Sequence, residues 1–544
     1  MPNEARQPRG AVHHPAAMSA AGRIPRWIFP LLLPALVLAL FSPSLRYDFA
    51  PLDDDVNIVF NPQHGPLTPD RVSAAFGDPG YTRRYLPLGW ILNSVVASFS
   101  GLSPWGYHAA NVALHALNAF LLFGLLRALV IRFRPNLPET WAELAPGLAT
   151  AWWALHPLRV ETVAWVSALP TNLSLSCVLL ALRLHLRAST PRHVGLAGLV
   201  FGAGLLSYPV GLGAAVLFPL LDWADGQRGR NWIVRALPYL AVTAVIGYIN
   251  LAARAHVGVD HAPLPTLAEL PISTRLLRGF CFLGHYWWKP WFPFDLSPVY
   301  GELLHVTWAS PYLLAGLGLG AGVLWLAWRS PAFALLAIGQ VALLFPITGF
   351  TEFLHFPHDR YSLWADLVTA TGLALLLARW RSRTAGGILA GVAAAGIWLT
   401  ARQLPVWQST GTVIASVRSH LAPGEAVAIR DVRPAYWLYR EGRYDAATEL
   451  LEAELAGRPH DMALLATRDQ LRAMYAEHVV ITGALGLTPA DVPPIAPLHY
   501  GLARQFLARH EPEPAAWHLA EIARLAPRYY AVLNQPRPGA KPKP

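Results

Sequence analysis

The chain has 544 residues, 54% of them hydrophobic and only 14% charged. That balance excludes an ordinary soluble protein and fits a polytopic membrane protein carrying a second region. Basic residues outnumber acidic ones by 43 to 33, a formal charge of +10, and the excess sits at the ends of apolar runs. It therefore reads as topology and not as nucleic-acid binding. Cys177 and Cys281 are too few for a disulfide framework or a metal cluster.

Arg6, Arg9, Arg23 and Arg26 precede an apolar run from Trp27 to Leu45. At about 1.5 Å per residue it spans roughly 28 Å, close to hydrocarbon thickness and too long for a signal peptide. An uncleaved first span is predicted, with residues 1–26 in the cytoplasm. An outer loop, 46–105, follows and carries Asp53-Asp54-Asp55, Asn61-Pro62, Arg83-Arg84-Tyr85 and Leu86-Pro87-Leu88. Three adjacent carboxylates are too costly for hydrocarbon, so they belong at the surface or in a wet cavity. Their mutual repulsion raises the pKa of at least one, which suits a proton acceptor; an exposed acidic turn is the other reading.

Further spans are predicted at 106–130, 146–166, 172–186, 194–206, 210–221, 236–253, 308–328, 331–346, 362–377 and 387–404, making about eleven. The arginine cluster Arg379, Arg381 and Arg383 fixes the parity. Counting back from it, 254–307 crosses an even number of times and lies outside. Its stretch Leu276 to Trp288, with Tyr286, Trp287, Trp288 and then Lys289 and Trp291, reads as an interfacial helix. The same count places Asp53, Asp54, Arg84, His156, Glu161, Lys289, Asp359 and Arg360 on the outer side. A carboxylate base beside several cations suits transfer from a lipid-linked phosphate donor. Lys289 is the one lysine outside the tail pair Lys541 and Lys543; snorkelling to the interface is its structural alternative.

From Pro405 charged residues return and the apolar runs stop. Gly442-Arg443-Tyr444-Asp445-Ala446-Ala447 and the 34-residue spacing of Pro459, Pro493 and Pro527 resemble tetratricopeptide repeats, with an ordinary helical domain as the alternative. Residues 405–534 form this extracytoplasmic region, and 535–544 are a disordered tail.

Leu52-Asp53-Asp54-Asp55-Val56, Gly101 to His108 with Asn111 and His115, Ala154 to Glu161 with Val163 to Ser167, Trp288 to Pro293, Leu296-Ser297-Pro298 and Asp359-Arg360-Tyr361 stand in order over roughly 45–380. Together they resemble the transmembrane and tetratricopeptide-repeat O-mannosyltransferases and their bacterial relatives. The resemblance implies an all-α, GT-C-type bundle and an inverting transfer of sugar from a polyprenyl phosphate to a hydroxyl acceptor, protein or glycan. It makes Asp53 or Asp54 the base, Arg360 and Lys289 donor-phosphate contacts, and His156 and Glu161 cavity residues beside Asp359 and Tyr361. No cofactor is required, and a divalent metal on the clustered aspartates stays open. Three positions depart from the family pattern: Tyr85-Leu86-Pro87-Leu88, where Arg83 or Arg84 substitutes for a missing arginine; Ala168 to Asn172; and Ser207-Tyr208-Pro209. A non-catalytic membrane scaffold that binds a partner through its repeats is the second reading. The arginine- and alanine-rich composition points to a bacterial plasma membrane and an undecaprenyl carrier.

Overall fold

The computed structural model describes residues 24–50, 52–59, 61, 64–77, 84–255, 271–303, 306–348, 357–420, 435, 438–439, 441–457, 462–493, 495–508 and 512–533. The amino-terminal segment through 23, Pro62, Arg83, residues 256–270 of the outer loop, Pro459 and the tail after 533 lie outside them. The described residues are helical, without a strand. The helices are α1 (Ile28–Phe41), α2 (Pro69–Gly77), α3 (Pro87–Ser100), α4 (Pro104–Phe133), α5 (Glu139–Ala154), α6 (Val160–Ala164), α7 (Leu169–Arg187), α8 (Pro191–Ser207), α9 (Leu217–Ala224) and α10 (Gly229–Ala255). They continue with α11 (Ile272–Trp288), α12 (Pro311–Arg329), α13 (Pro331–Leu344), α14 (Ser362–Trp380), α15 (Arg383–Gln403) and α16 (Thr410–Ser419). After these come α17 (Tyr444–Gly457), α18 (Met462–Ala484), α19 (Ile495–Ala508), α20 (Pro512–Leu525) and α21 (Pro527–Leu533).

Among the described residues, seven helices are long and apolar enough to cross a membrane: Ile28–Arg46, Pro104–Phe133, Val166–Arg187, Gly229–Ala253, Pro311–Arg329, Asp359–Trp380 and Arg383–Trp407. The other four expected spans coincide with shorter helices, namely α5, α8, Pro209–Ala224 and Pro331–Ile347. The expected span 146–166 is interrupted. Pro157 has no N–H to give and disfavours helix at His156, so α5 ends at Ala154 and the chain turns through Pro157–Arg159 into α6. That buried corner is where the site is built.

Helices α1, α4, α5, α7 and α14 share one apolar core that includes Phe41, Leu122, Trp153, Leu179 and Trp364. Helix α11 buries Leu277, Cys281, Phe282 and Tyr286 and exposes Ile272, Leu276 and Phe280. It can pack closely on α12 because glycines meet there. A Cβ on Gly284 would stand 2.1 Å from the Tyr312 carbonyl, and one on Gly316 2.3 Å from that of Phe280. At the end of the bundle away from the acidic loop, charges pair internally. Arg127 meets Glu143 at 2.6 Å, Arg132 pairs with Asp225, and Asp222 takes both Arg235 at 2.9 Å and His185 at 3.2 Å.

Helices α17 and α18 pack as one hairpin and α19 and α20 as another, over cores holding Leu451, Leu471, Ile481 and Ile522. Helix α20 brings Trp517 to the loop after α1, where it joins Phe49, Ile58, Val59, Tyr107 and Val166. Beside it, His64 is buried with Nε2 2.8 Å from the Tyr107 hydroxyl. That hydroxyl spends its one proton on the Gly101 carbonyl, so His64 Nε2 is the donor. Burial first, and then Arg71, push His64 down to about 3. The unfolded chain, with His64 near its ordinary 6.5, therefore binds the extra proton below pH 6.5. The full stabilisation is present above that value and declines as pH falls toward 3, by about 2 kcal/mol at pH 5. Thermal unfolding of wild type and His64→Gln between pH 7 and 5 is expected to show a shallower acid decline in the variant.

Candidate active site

The acidic loop is held by its second aspartate. Asp54 is fully buried; its Oδ2 accepts from the Ala50 amide at 2.7 Å, and its Oδ1 from the Ser167 amide at 2.8 Å and hydroxyl at 2.5 Å. Asn57 Nδ2 donates to that hydroxyl at 3.1 Å. One turn of wide helix, Asp55–Val59, carries the loop back into the protein. Asp53 is exposed, with φ +68°, a left-handed conformation that costs a non-glycine residue about 1 kcal/mol. The loop backbone is pinned once more, by Trp165 Nε1 to the Leu52 carbonyl at 2.6 Å.

The segment receiving these bonds, Glu161–Ser167, is itself braced. Helix α6 lasts five residues, and its last carbonyls would be orphaned in an apolar bundle. Asn111 Nδ2 donates to those of Thr162 and Val163 and to that of Trp165 just beyond the helix, each at 3.0 Å. Asn172 Nδ2 reaches Asn111 Oδ1 at 2.7 Å and the Thr162 carbonyl at 3.1 Å. Asn172 thereby completes this brace.

On the other side of Trp165 stands the Asp359–Tyr361 corner. Arg360 donates its amide to Glu161 Oε2 at 2.9 Å and its guanidinium to Oε1. The guanidinium lies 4.6 Å from the Trp165 ring and 4.8 Å from that of Tyr361, and its buried Nε has no partner among the described residues. Arg84 Nη1 donates to the Tyr208 hydroxyl at 3.1 Å. Tyr208, then Tyr361 and the Asp53 carboxylate, hold the Arg84 guanidinium above its ordinary value against burial and the repulsion of Arg360. Arg84 thus feels Tyr208, Tyr361, Asp53 and Arg360 together.

Lys289 and Asp359 form an adjoining cluster. Lys289 Nζ donates to the carbonyls of Phe294 at 2.8 Å and Asp295 at 3.3 Å and lies 5.0 Å from the Tyr300 ring centre. Burial lowers its pKa, opposed by Asp359, Asp295 and Glu302. Tyr300 in turn donates to Asp359 Oδ1 at 2.6 Å. His156 stands further out. Its Nδ1 accepts from the Leu158 amide at 3.3 Å, so Nε2 is the donor to the Pro290 carbonyl at 2.9 Å, and its ring meets Trp152, which stacks on Trp291. His156 fixes the turn beside Lys289.

The residues singled out in the sequence fall into two clusters joined at Asp359-Arg360: Asp53, Asp54, Arg84, Glu161, Arg360 and Tyr361, and Lys289 with Asp359. Sequence reasoning missed the part played by Trp165 and Ser167, although both stood in a quoted motif. It missed Tyr208, visible as a departure from the family pattern, and Tyr300, which carried no signal. Among the described residues no group of three or more His, Cys, Asp or Glu side chains converges as a metal site.

Neither a protein-family model nor a solved structure matches this chain. It is similar to the Drosophila melanogaster proteins named Protein O-mannosyl-transferase Tmtc2, at 29% identity over 163 residues, and Protein O-mannosyl-transferase Tmtc1, at 32% over 280 residues. Those stretches cover 28% and 46% of this chain and 16% and 31% of the two relatives, so the chain spans less than a third of either.

Proposed function

We propose that the protein is a membrane glycosyltransferase of GT-C type that moves a sugar from a polyprenyl-phosphate donor to a hydroxyl acceptor, protein or glycan, with inversion. One observation carries this reading. Trp165 pins the acidic loop through its indole N–H and carries the Arg360 guanidinium on its face, so a carboxylate and a cation share one scaffold.

Asp53 is the base and Asp54 its anchor. Asp54 is buried, whereas Asp53 is exposed and its charge acts on Arg84. The acceptor hydroxyl gives its proton to Asp53 as its oxygen attacks the anomeric carbon. The bond from that carbon to the phosphate oxygen breaks, and the phosphate leaves with the electron pair. Arg84 and the Arg360 guanidinium stabilise the leaving oxygens. Glu161 pre-orients Arg360, and Lys289 adds positive charge from the adjoining cluster. Because phosphate leaves readily, no general acid or metal is required. The acidic loop faces the extracytoplasmic side of a bacterial plasma membrane, and the carboxy-terminal hairpins are tetratricopeptide-like.

The test is transfer itself. Purified protein in nanodiscs, given polyprenyl-phosphate hexoses and a hydroxyl acceptor, is expected to release polyprenyl phosphate and form a glycoside of inverted anomeric configuration. No release above a protein-free control, with any hexose, would sink the proposal. Tyr208→Phe removes the bond that aims Arg84. It is expected to raise the donor KM about tenfold, or about 1.4 kcal/mol, with kcat nearly unchanged.

A further inference from the structure

At the end of the bundle away from the acidic loop, Arg127, Arg132 and Arg235 each have a carboxylate, from Glu143, Asp225 and Asp222. Arg183 and Arg187 of α7 have none: among the described residues neither makes an ion pair or a hydrogen bond. They stand one turn apart on α7, where like charges repel. Arg187 is exposed, but Arg183 is partly buried. Its guanidinium is laid on the neighbouring helix α4, where a Cβ on Gly124 would stand 2.3 Å from Nη1 and 2.6 Å from Cζ. Any larger residue there displaces the arginine. A snorkelling arginine extends toward the end of its own helix. This one is held sideways, level with a glycine well short of the end of α4 at Phe133. Its guanidinium nitrogens are not sealed in, so an anion can reach them.

The surroundings of the pair narrow what that anion is. Helices α4 and α7 lie side by side. Leu117, Phe120 and Gly124 follow one another on the outward face of α4, and Leu180, Arg183 and Arg187 on that of α7, both at helical spacing. Both helices start at the acidic loop, α4 beside Tyr107 and α7 just after Ser167, and run away from it. The exposed Leu117, Phe120 and Leu180 therefore lie toward the middle of the bundle and the arginines toward its far end. A ligand that matches this order has a negative head and an apolar tail. Inorganic phosphate answers the arginines and leaves the apolar strip bare. A zwitterionic lipid sets its own cation near two others. An anionic phospholipid satisfies both parts, as basic pockets between membrane helices do for such head groups.

We propose that the groove between α4 and α7 binds one anionic phospholipid, its phosphate on Arg183 and Arg187 and an acyl chain along Leu117, Phe120 and Leu180. The groove lies at the other end of the bundle from the acidic loop, and its occupant is independent of sugar transfer.

Native mass spectrometry of the full chain in detergent micelles, given dioleoyl phosphatidylglycerol and dioleoyl phosphatidylcholine in equal amounts, tests it. Wild type is expected to retain one phosphatidylglycerol in about tenfold preference to phosphatidylcholine. The double substitution Arg183→Gln and Arg187→Gln is expected to abolish that preference. Gly124→Leu keeps both charges but fills the floor of the groove, and is expected to lower retention at least threefold. Arg134→Gln removes an exposed arginine at the same end of the bundle but outside the groove, and is expected to change nothing. The glutamine pair carries the test by itself if Gly124→Leu does not fold, because it keeps polar side chains of similar length. Equal retention of the two lipids by wild type would overturn the proposal, as would a preference that survives the glutamine pair. An equal loss in Arg134→Gln would also overturn it, since the attraction would then be diffuse charge and not a built site. So would displacement of the lipid by inorganic phosphate at equal concentration, which would mean that the arginines bind a soluble anion.

Discussion

Asp53→Asn is expected to lower sugar transfer by about 10²–10⁴-fold, the usual contribution of a positioned general base. Its thermal midpoint is expected to stay within about a degree of wild type. The expectation of unchanged stability follows from the local structure. Asp53 is exposed, and asparagine tolerates a φ of +68° as well as aspartate does. Asp53→Gly sharpens the test, because glycine adopts that backbone without strain. It is expected to be as inactive as Asp53→Asn with a midpoint at or above that of wild type, as at sites where strain is kept for function. Asp54→Asn should behave differently. An amide in place of the buried carboxylate sets a donor against the Ala50 N–H or against the Ser167 donors. A loss of about 1–3 kcal/mol in stability is expected along with reduced transfer. The readouts are donor consumption and thermal unfolding of all three variants. Full activity in Asp53→Asn with loss only in Asp54→Asn would move the base to Asp54; full activity in both would remove the carboxylates from the chemistry.

Much of this arrangement is legible in the residues, for reasons that differ from place to place. Apolar length and the placement of arginines located the helices, because burial of the backbone in hydrocarbon leaves few alternatives. The parity of crossings led to the expectation that the acidic loop, Glu161, Lys289 and Asp359-Arg360 share one side; the structure links Glu161 to Arg360 directly. What length could not reveal was the break at His156-Pro157, since the surrounding residues are as apolar as a span. The consequence is specific: Glu161 lies on a five-residue helix within a buried corner and not on a long one. Nor could parity separate Asp53 from Asp54. Their neighbours in sequence are shared, and their surroundings differ because Ser167, 113 positions away, bonds Asp54. Lys289 stood out by rarity, yet its ammonium is met by the Phe294 and Asp295 carbonyls of its own turn. Tyr300 could not have been singled out. Its hydroxyl matters through a bond to Asp359, 59 positions on, and neither spacing nor composition encodes that contact. Tyr208 was detectable only as an exception to a pattern, and it acquires meaning only when Arg84 is seen to reach it.

Asp366→Ala is expected to destabilise the protein by about 3–5 kcal/mol, the usual cost of stripping one partner from a buried ion pair. Asp366 of α14 pairs with Arg159, just before α6, and neither side chain is exposed at all. Arg159 also lies over the Trp153 ring at 5.5 Å, while its Nε and Nη1 and Asp366 Oδ1 find no partner among the described residues. Removal of the carboxylate leaves a guanidinium in the bundle with no other carboxylate paired to it among the described residues. The double substitution Arg159→Met and Asp366→Leu, apolar and similar in volume, is expected to recover most of the loss. A coupling of at least about 2 kcal/mol between the sites should therefore appear in chemical denaturation of the four proteins in detergent. The pair has a second consequence. It joins the same two elements as Glu161–Arg360, since Arg159 lies two residues before Glu161 and Asp366 six after Arg360. Two rungs fix the register of α14 against the buried corner, and loss of one frees the other to shift. The double variant is accordingly expected to fold and yet to bind donor less tightly, with a raised KM and a smaller change in kcat. A double variant as unstable as Asp366→Ala, or a single variant within about 1 kcal/mol of wild type, would show that the pair carries no such load.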